Sequence, residues 1–168
     1  FSANQIPLMD INELASGKLA ALLSRHTARD LFDAHELLTK TAFNTEQLRL
    51  GFVIYGASNR KDWRTVSPDD VGFDAEDLQQ SLIPVLSNRA VEEIGDSRQW
   101  ARRLLEGTQQ GLARLLPLSP PEREFLDRLL DHGEIHATLL TEDDLMAAKI
   151  ARLPLLQWKA LNVREHIS

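Results

Sequence analysis

Cysteine is missing from all 168 residues, tyrosine occurs once, and glycine and proline supply only 8 and 7 positions. Without cysteine there is no disulfide framework and no thiolate metal site, and a reducing cytoplasm suits the chain. Apolar runs are short, "FVIYGA" being typical, so nothing approaches the ~20 apolar residues that cross a bilayer. No N-terminal signal pattern is visible. Sustained apolar/polar alternation is missing too: only "NQIPLM" and "TVS" resemble strands, and a lone strand has no sheet to join. Finally, no basic stripe stands out, although RNA-binding surfaces usually carry one because phosphate contacts supply much of their affinity. The formal net charge is −6. Most of it sits in residues 65–96, where Arg89 faces Asp69, Asp70, Asp74, Glu76, Asp77, Glu92, Glu93 and Asp96. That segment reads as a solvated acidic loop and helix.

What remains is a globular chain, 43% hydrophobic and 26% charged, of single-domain length. Its punctuation is helical. Asp10 with Glu13 makes a capping box, and Met9 with Leu14 a staple, for a helix from about residue 11. Thr27 caps a second helix with Asp30 in its first turn, so the chain breaks at Arg25–Thr27. Asn44 or Thr45 opens a third helix over "NTEQLRLGFVIYGAS". Ser67 and Asp74 give short caps, and Pro84 disturbs the residues after it. Trp100, Leu104, Leu105, Leu112, Leu115 and Leu116 keep helical spacing. "SPPEREFLDRLLDHG" supplies Ser119 as cap, Pro120 at the first position, Glu122 at the third and Gly133 as stop. A capping signal at Thr141 and Pro154 as a helix start complete the chain. The expected fold is all-α, with at most a short strand near residues 5–9.

Three groups of residues invite chemistry. His132 and His136 are four apart with Glu134 between them, but Gly133 ends the helix there and no third ligand is near, so no metal is assigned. "YGASN" places Ser58 near a glycine without the G-x-S-x-G turn of a hydrolase, and His35 beside a helical Asp reads as structural. The stretch "KLAALLSRHTARDLFDAHELL" (18–38) is richer. Lys18 and Arg25 lie two turns apart and share a face. Arg29 and Asp33 are spaced to pair across one turn, and Asp30 stands near a helix N-terminus. As surface pairs these residues contribute about 0.3–0.5 kcal/mol each. As part of a site, the charged ends of Lys18 and of Asp30 or Asp33 must meet, which requires antiparallel helices or a sharp bend at 25–27.

"ELASGKLAALLSRHTARDLFDAHELL" resembles the AbiEii/AbiGii nucleotidyltransferase toxin family, whose pattern is a lysine, a basic residue two turns on, then Arg-Asp-x-x-Asp. Lys18, Arg25 and the Arg29, Asp30, Asp33 element match it, and "EREFLDRLLDHGEIHATLL" and "LPLLQWKALNVREH" are similar to the family's closing helices. The resemblance implies transfer of a nucleoside monophosphate from a nucleoside triphosphate (NTP), with Mg2+, to an acceptor such as the end of tRNA. It also implies a separately encoded antitoxin and a cytoplasmic location without a membrane. By the same resemblance Lys18, Asp30 and Asp33 are catalytic, while Arg25 and Arg29 bind substrate. Residues 1–42 close a nucleotidyltransferase core and 43–168 form a multi-helix C-terminal domain. The family's Gly-Ser segment with Asp-x-Asp has no counterpart: "GASNRKD" and "DAED" lack its spacing. The expectation is therefore a fragment, inactive alone, with the metal-holding half upstream of Phe1 and any short N-terminal strand left from a truncated α/β domain. Lys18→Ala and Asp30→Ala are expected to abolish toxicity of the whole enzyme at nearly unchanged melting temperature. The alternative is a non-catalytic helical module that binds protein or RNA.

Overall fold

The computed structural model describes residues 11–25, 27–40, 44–72, 75–77, 84 and 97–167. Seven helices of eight or more residues lie among them: α1 (Ile11–Arg25), α2 (Ala28–Lys40), α3 (Thr45–Ala57), α4 (Ser97–Leu112), α5 (Pro120–His132), α6 (Asp144–Ala151) and α7 (Pro154–Ile167). Single helical turns at Trp63–Thr65, Pro68–Asp70, Ala75–Asp77 and Ala137–Leu139 link them. No strand occurs among the described residues, in keeping with an all-α fold. The strand expected at 5–9, the cap at Asp10 with its staple, and the cap at Asp74 lie outside the described residues.

Caps explain most boundaries. Asn44 accepts the Gln47 N–H at 3.1 Å and starts α3. Ser119 and Glu122 exchange the two bonds of a capping box with Pro120 at the first position. Gly133 ends α5 at φ 67°, a conformation that disfavours a Cβ. Two boundaries differ from the sequence reading. Thr141 is not the cap of α6: its hydroxyl accepts the Asp143 N–H, and the Asp143 carboxylate accepts from Leu145 and Met146. A carboxylate at a helix start is the stronger acceptor and also meets the positive end of the dipole. Likewise α4 stops at Leu112, with turns over 113–115, because Leu116 precedes Pro117 and the α region is disfavoured there.

α1 lies between α2 and α3. Its Leu19, Leu22 and Leu23 are fully buried, and the Ser16 hydroxyl donates to the Leu48 carbonyl of α3 at 3.2 Å. Phe52 of α3 stacks at a tilt on Trp63, with ring centroids 5.2 Å apart. Phe125, Leu126 and Leu129 of α5, with Leu156 of α7, continue this core. α4 covers α2 through Phe32 and Trp100, 5.9 Å apart, and through Gly107 and Gly111, where an added Cβ would press on His35 and Leu38.

Two arginines tie distant segments. Arg49 of α3 forks onto Glu122, through Nη2 to Oε1 at 2.7 Å and Nε to Oε2 at 3.1 Å, and also donates to the Arg114 and Pro117 carbonyls. Arg64 bonds Asp62, then Asp127 and Asp131 of α5. The Arg64 side chain holds the Asp62 carboxyl below its ordinary 3.8, with burial acting in the opposite direction. The lowered value means stability that is full above about pH 4 and is lost as pH falls through the folded-state value. Asp62→Asn should therefore lower the melting temperature at neutral pH and flatten its decline in acid, as read by circular dichroism from pH 7 to 2.

Gly56 packs against the indole of Trp63, which is wholly buried, and a Cβ there would overlap the ring at Nε1 and Cε2. Gly17, by contrast, faces open space in the middle of α1. We expect Gly56→Ala to cost about 2–3 kcal/mol through overpacking and Gly17→Ala to gain about 0.5–1 kcal/mol from chain entropy, both read by urea unfolding.

Candidate functional site

The charged stretch folds as a helical hairpin. α1 ends at Arg25 and α2 begins at Ala28, so the two helices run antiparallel through a two-residue turn. Thr27 makes the turn possible. Its hydroxyl oxygen accepts the Asp30 N–H at 3.1 Å and its proton goes to Asp30 Oδ2 at 2.7 Å. The Ala28 N–H is taken by Asp77 Oδ2 at 2.8 Å, from 49 residues further on. Two of the donors left open at the start of α2 are thus satisfied by side chains. From sequence Asp77 reads only as solvated charge, and no local pattern marks it.

Across the hairpin the charges form two rungs. Near the turn, Arg25 grips Asp30 with Nη2 to Oδ1 at 2.8 Å and Nε to Oδ2 at 3.1 Å. Two turns back along α1, Lys18 Nζ meets Asp33 Oδ2 at 3.0 Å. The pairing is between helices: Asp33 holds Lys18 rather than Arg29, its neighbour four residues away. Arg29 is exposed and has no ion pair among the described residues.

The two rungs differ in environment. Asp30 is only 4% exposed, and both its oxygens are engaged. Its partner Arg25 keeps 63% of its side chain in solvent. Lys18 and Asp33 are part-exposed, at 37% and 28%, and Asp33 Oδ1 carries no hydrogen bond among the described residues. Chemically, Asp30 is a buried anchor, whereas Arg25 and Arg29 are exposed and Lys18 is part-exposed.

The remaining candidates separate. Ser58 ends α3, donating to the Tyr55 carbonyl at 2.9 Å, and the helical run before it forms no strand-to-helix elbow. The His35 ring lies against Gly107 of α4, not beside Ser58. His132 and His136 straddle the end of α5 at Gly133, and His136 Nε2 sits 3.2 Å from Glu134. Among the described residues no three His, Asp or Glu side chains converge as a metal site. No helix among them is long and apolar enough to cross a membrane.

The geometry also divides the two proposed alanine tests. Asp30→Ala removes a buried carboxylate with a charged partner and a turn hydroxyl, so it should cost about 2 kcal/mol of stability, contrary to the unchanged melting temperature expected from sequence. Lys18→Ala, in the part-exposed rung, should cost under about 1 kcal/mol. Urea unfolding of the two variants checks the contrast.

The model of the family described as nucleotidyl transferase AbiEii toxin, type IV TA system, matches residues 1–128 of the 168. The match includes the whole α1–α2 hairpin and stops inside α5. No curated protein and no solved structure matches the chain.

Proposed function

Because the chain belongs to the nucleotidyl transferase AbiEii toxin family of type IV toxin-antitoxin systems, we propose that its α1–α2 hairpin is the triphosphate-holding part of a site that moves a nucleoside monophosphate onto an acceptor such as the tRNA end. The family places the chain among nucleotidyltransferase toxins that have a cognate antitoxin. The observation that carries the finer reading is the pair of rungs, which holds Lys18 and Arg25 on one edge with Arg29 close by in sequence.

In such a transfer the acceptor hydroxyl oxygen attacks the α-phosphorus, and the bond to the β-phosphate breaks to release pyrophosphate. Negative charge grows on the leaving oxygens, and fixed cations stabilise it most effectively because they need no reorganisation. Lys18 is the group we assign to that task. Asp33 aims it, through the 3.0 Å contact. Arg25 and Arg29 bind the phosphates. Asp30 acts through Arg25 and Thr27, so its contribution is to hold the hairpin's shape.

Mg2+ does not fit these residues. Each carboxylate already faces a cation at bonding distance, which repels a divalent ion. The sequence contains no Asp-x-Asp, and we assign the metal-holding carboxylates to chain outside residues 1–168. In this reading residues 1–42 close the catalytic core and residues 43–168 form the helical C-terminal part. Since Phe52 and Leu48 of α3 share a core with α1, that boundary is one of role and not of packing.

Residues 1–168 incubated with labelled nucleoside triphosphates, magnesium and tRNA should give no labelled product. A protein that also carries the Asp-x-Asp half should label the tRNA, and Lys18→Ala in it should cut the rate at least a hundredfold. Robust labelling by residues 1–168 alone would place the active site elsewhere.

A further inference from the structure

Asp77 reaches the hairpin on a strap of chain that is fastened well before its end. After α3 the chain crosses the molecule through three single turns, Trp63–Thr65, Pro68–Asp70 and Ala75–Asp77. Trp63 is wholly buried, and Val71 is 5% exposed and joins the core. Arg64 holds the first turn to Asp127 and Asp131 of α5. In the second turn Asp70 Oδ2 meets Lys61 Nζ at 3.2 Å and accepts the Ser67 N–H at 2.9 Å. That turn lies against α4. The strap is thus bound to α5 and α4 before its third turn meets α2.

What the third turn delivers is one oxygen. Asp77 Oδ2 accepts the Ala28 N–H at 2.8 Å. Ala28 opens α2 and is 1% exposed, so its N–H has no acceptor inside the helix and little access to water. Thr27, the nearest polar side chain before it, is already engaged with the Asp30 N–H and carboxylate. A buried donor without an acceptor destabilises the turn that carries it. The same turn carries Asp30, which Arg25 grips, and the exposed Arg29.

Arg25 and Arg29 both stand within three residues of Ala28 in the chain, yet neither forms an ion pair with Asp77 among the described residues. A carboxylate that masked these cations would pair with them and leave when an anion arrived. The Asp77 carboxylate holds a backbone N–H instead. We infer that Asp77 is a positioning residue for phosphate binding: through the Ala28 N–H it fixes the first turn of α2, and so sets where Arg25 and Arg29 hold their charges. The inference rests on the triphosphate-holding reading of the hairpin. Cations already in place bind an anion more tightly than cations that must be ordered on binding.

The test uses the 168-residue chain and inorganic tripolyphosphate, with binding read by calorimetry at low salt. The wild-type chain should bind it, and Lys18→Ala combined with Arg29→Ala should lose that binding. Asp77→Ala should bind about tenfold more weakly, at a temperature where circular dichroism shows it folded. Asp77→Ser, whose oxygen sits one bond nearer its own backbone, should also bind more weakly, which serves if Asp77→Ala does not fold. Asp77→Asn keeps an oxygen acceptor for the N–H and should bind like wild type. Unchanged affinity in Asp77→Ala or Asp77→Ser, with only the melting temperature lowered, would overturn the inference and leave the hairpin reading intact. Tighter binding by Asp77→Asn would overturn it as well, by making Asp77 a gate. No binding by the wild-type chain, or binding kept by the double variant, would defeat the hairpin reading and this inference together.

Discussion

The Asp30 carboxylate is what lets one helix end and the next begin within two residues. A tight reversal leaves helix-terminal donors and acceptors without partners, and here side chains of opposite charge close it from both sides. Arg25, the last residue of α1, reaches over the turn to grip Asp30, while Thr27 both receives the Asp30 N–H and donates to its side chain. With the turn fixed, α1 and α2 run antiparallel, and Lys18 comes opposite Asp33. The candidate site thus depends on a fold-stabilising contact, and that is why Asp30 is a poor place to separate stability from activity.

The rest of the molecule braces this hairpin. α3 packs on α1 through Leu48 and Phe52, and α4 on α2 through Trp100 and the close approach at Gly107. Arg49 then fastens α3 to the start of α5 and to the carbonyls before it, and Arg64 fastens the turn after α3 to the side of α5. Arg64 answers three carboxylates, and Arg49 one carboxylate and two carbonyls, with several donors at once, a task suited to the planar fork of arginine. The site proposed to hold a triphosphate benefits from such bracing, since cations on a loose helix would follow the charge instead of meeting it.

Local chemistry made the helix starts legible. Asn44, Ser119 and Thr27 act within three residues of themselves, and Gly133 is needed where the backbone turns left-handed. The break at residues 25–27 and the demand that Lys18 meet an aspartate across antiparallel helices came from the same signals. What stayed hidden depends on distance along the chain. Arg49 and Glu122 are 73 residues apart, Asp77 caps α2 from 49 away, and no periodicity announces that Gly56 must accommodate Trp63. Asp33 looked like a partner for Arg29 because spacing within one helix ranks neighbours without knowing the second helix. At Thr141 two adjacent acceptors competed, and the stronger one, Asp143, took the cap.

The central claim is that Lys18 presents its charge to substrate and that Asp33 only aims it. Exchanging the two, Lys18→Asp with Asp33→Lys, rebuilds the ion pair while reversing the field that a triphosphate meets. Melting temperature and nucleotidyl transfer should be measured together on the exchanged pair in a protein carrying the whole site. The account predicts a melting temperature restored relative to Lys18→Asp alone and no recovery of transfer. Recovery of transfer along with stability would contradict it, and would reduce the rung to a tie between two helices.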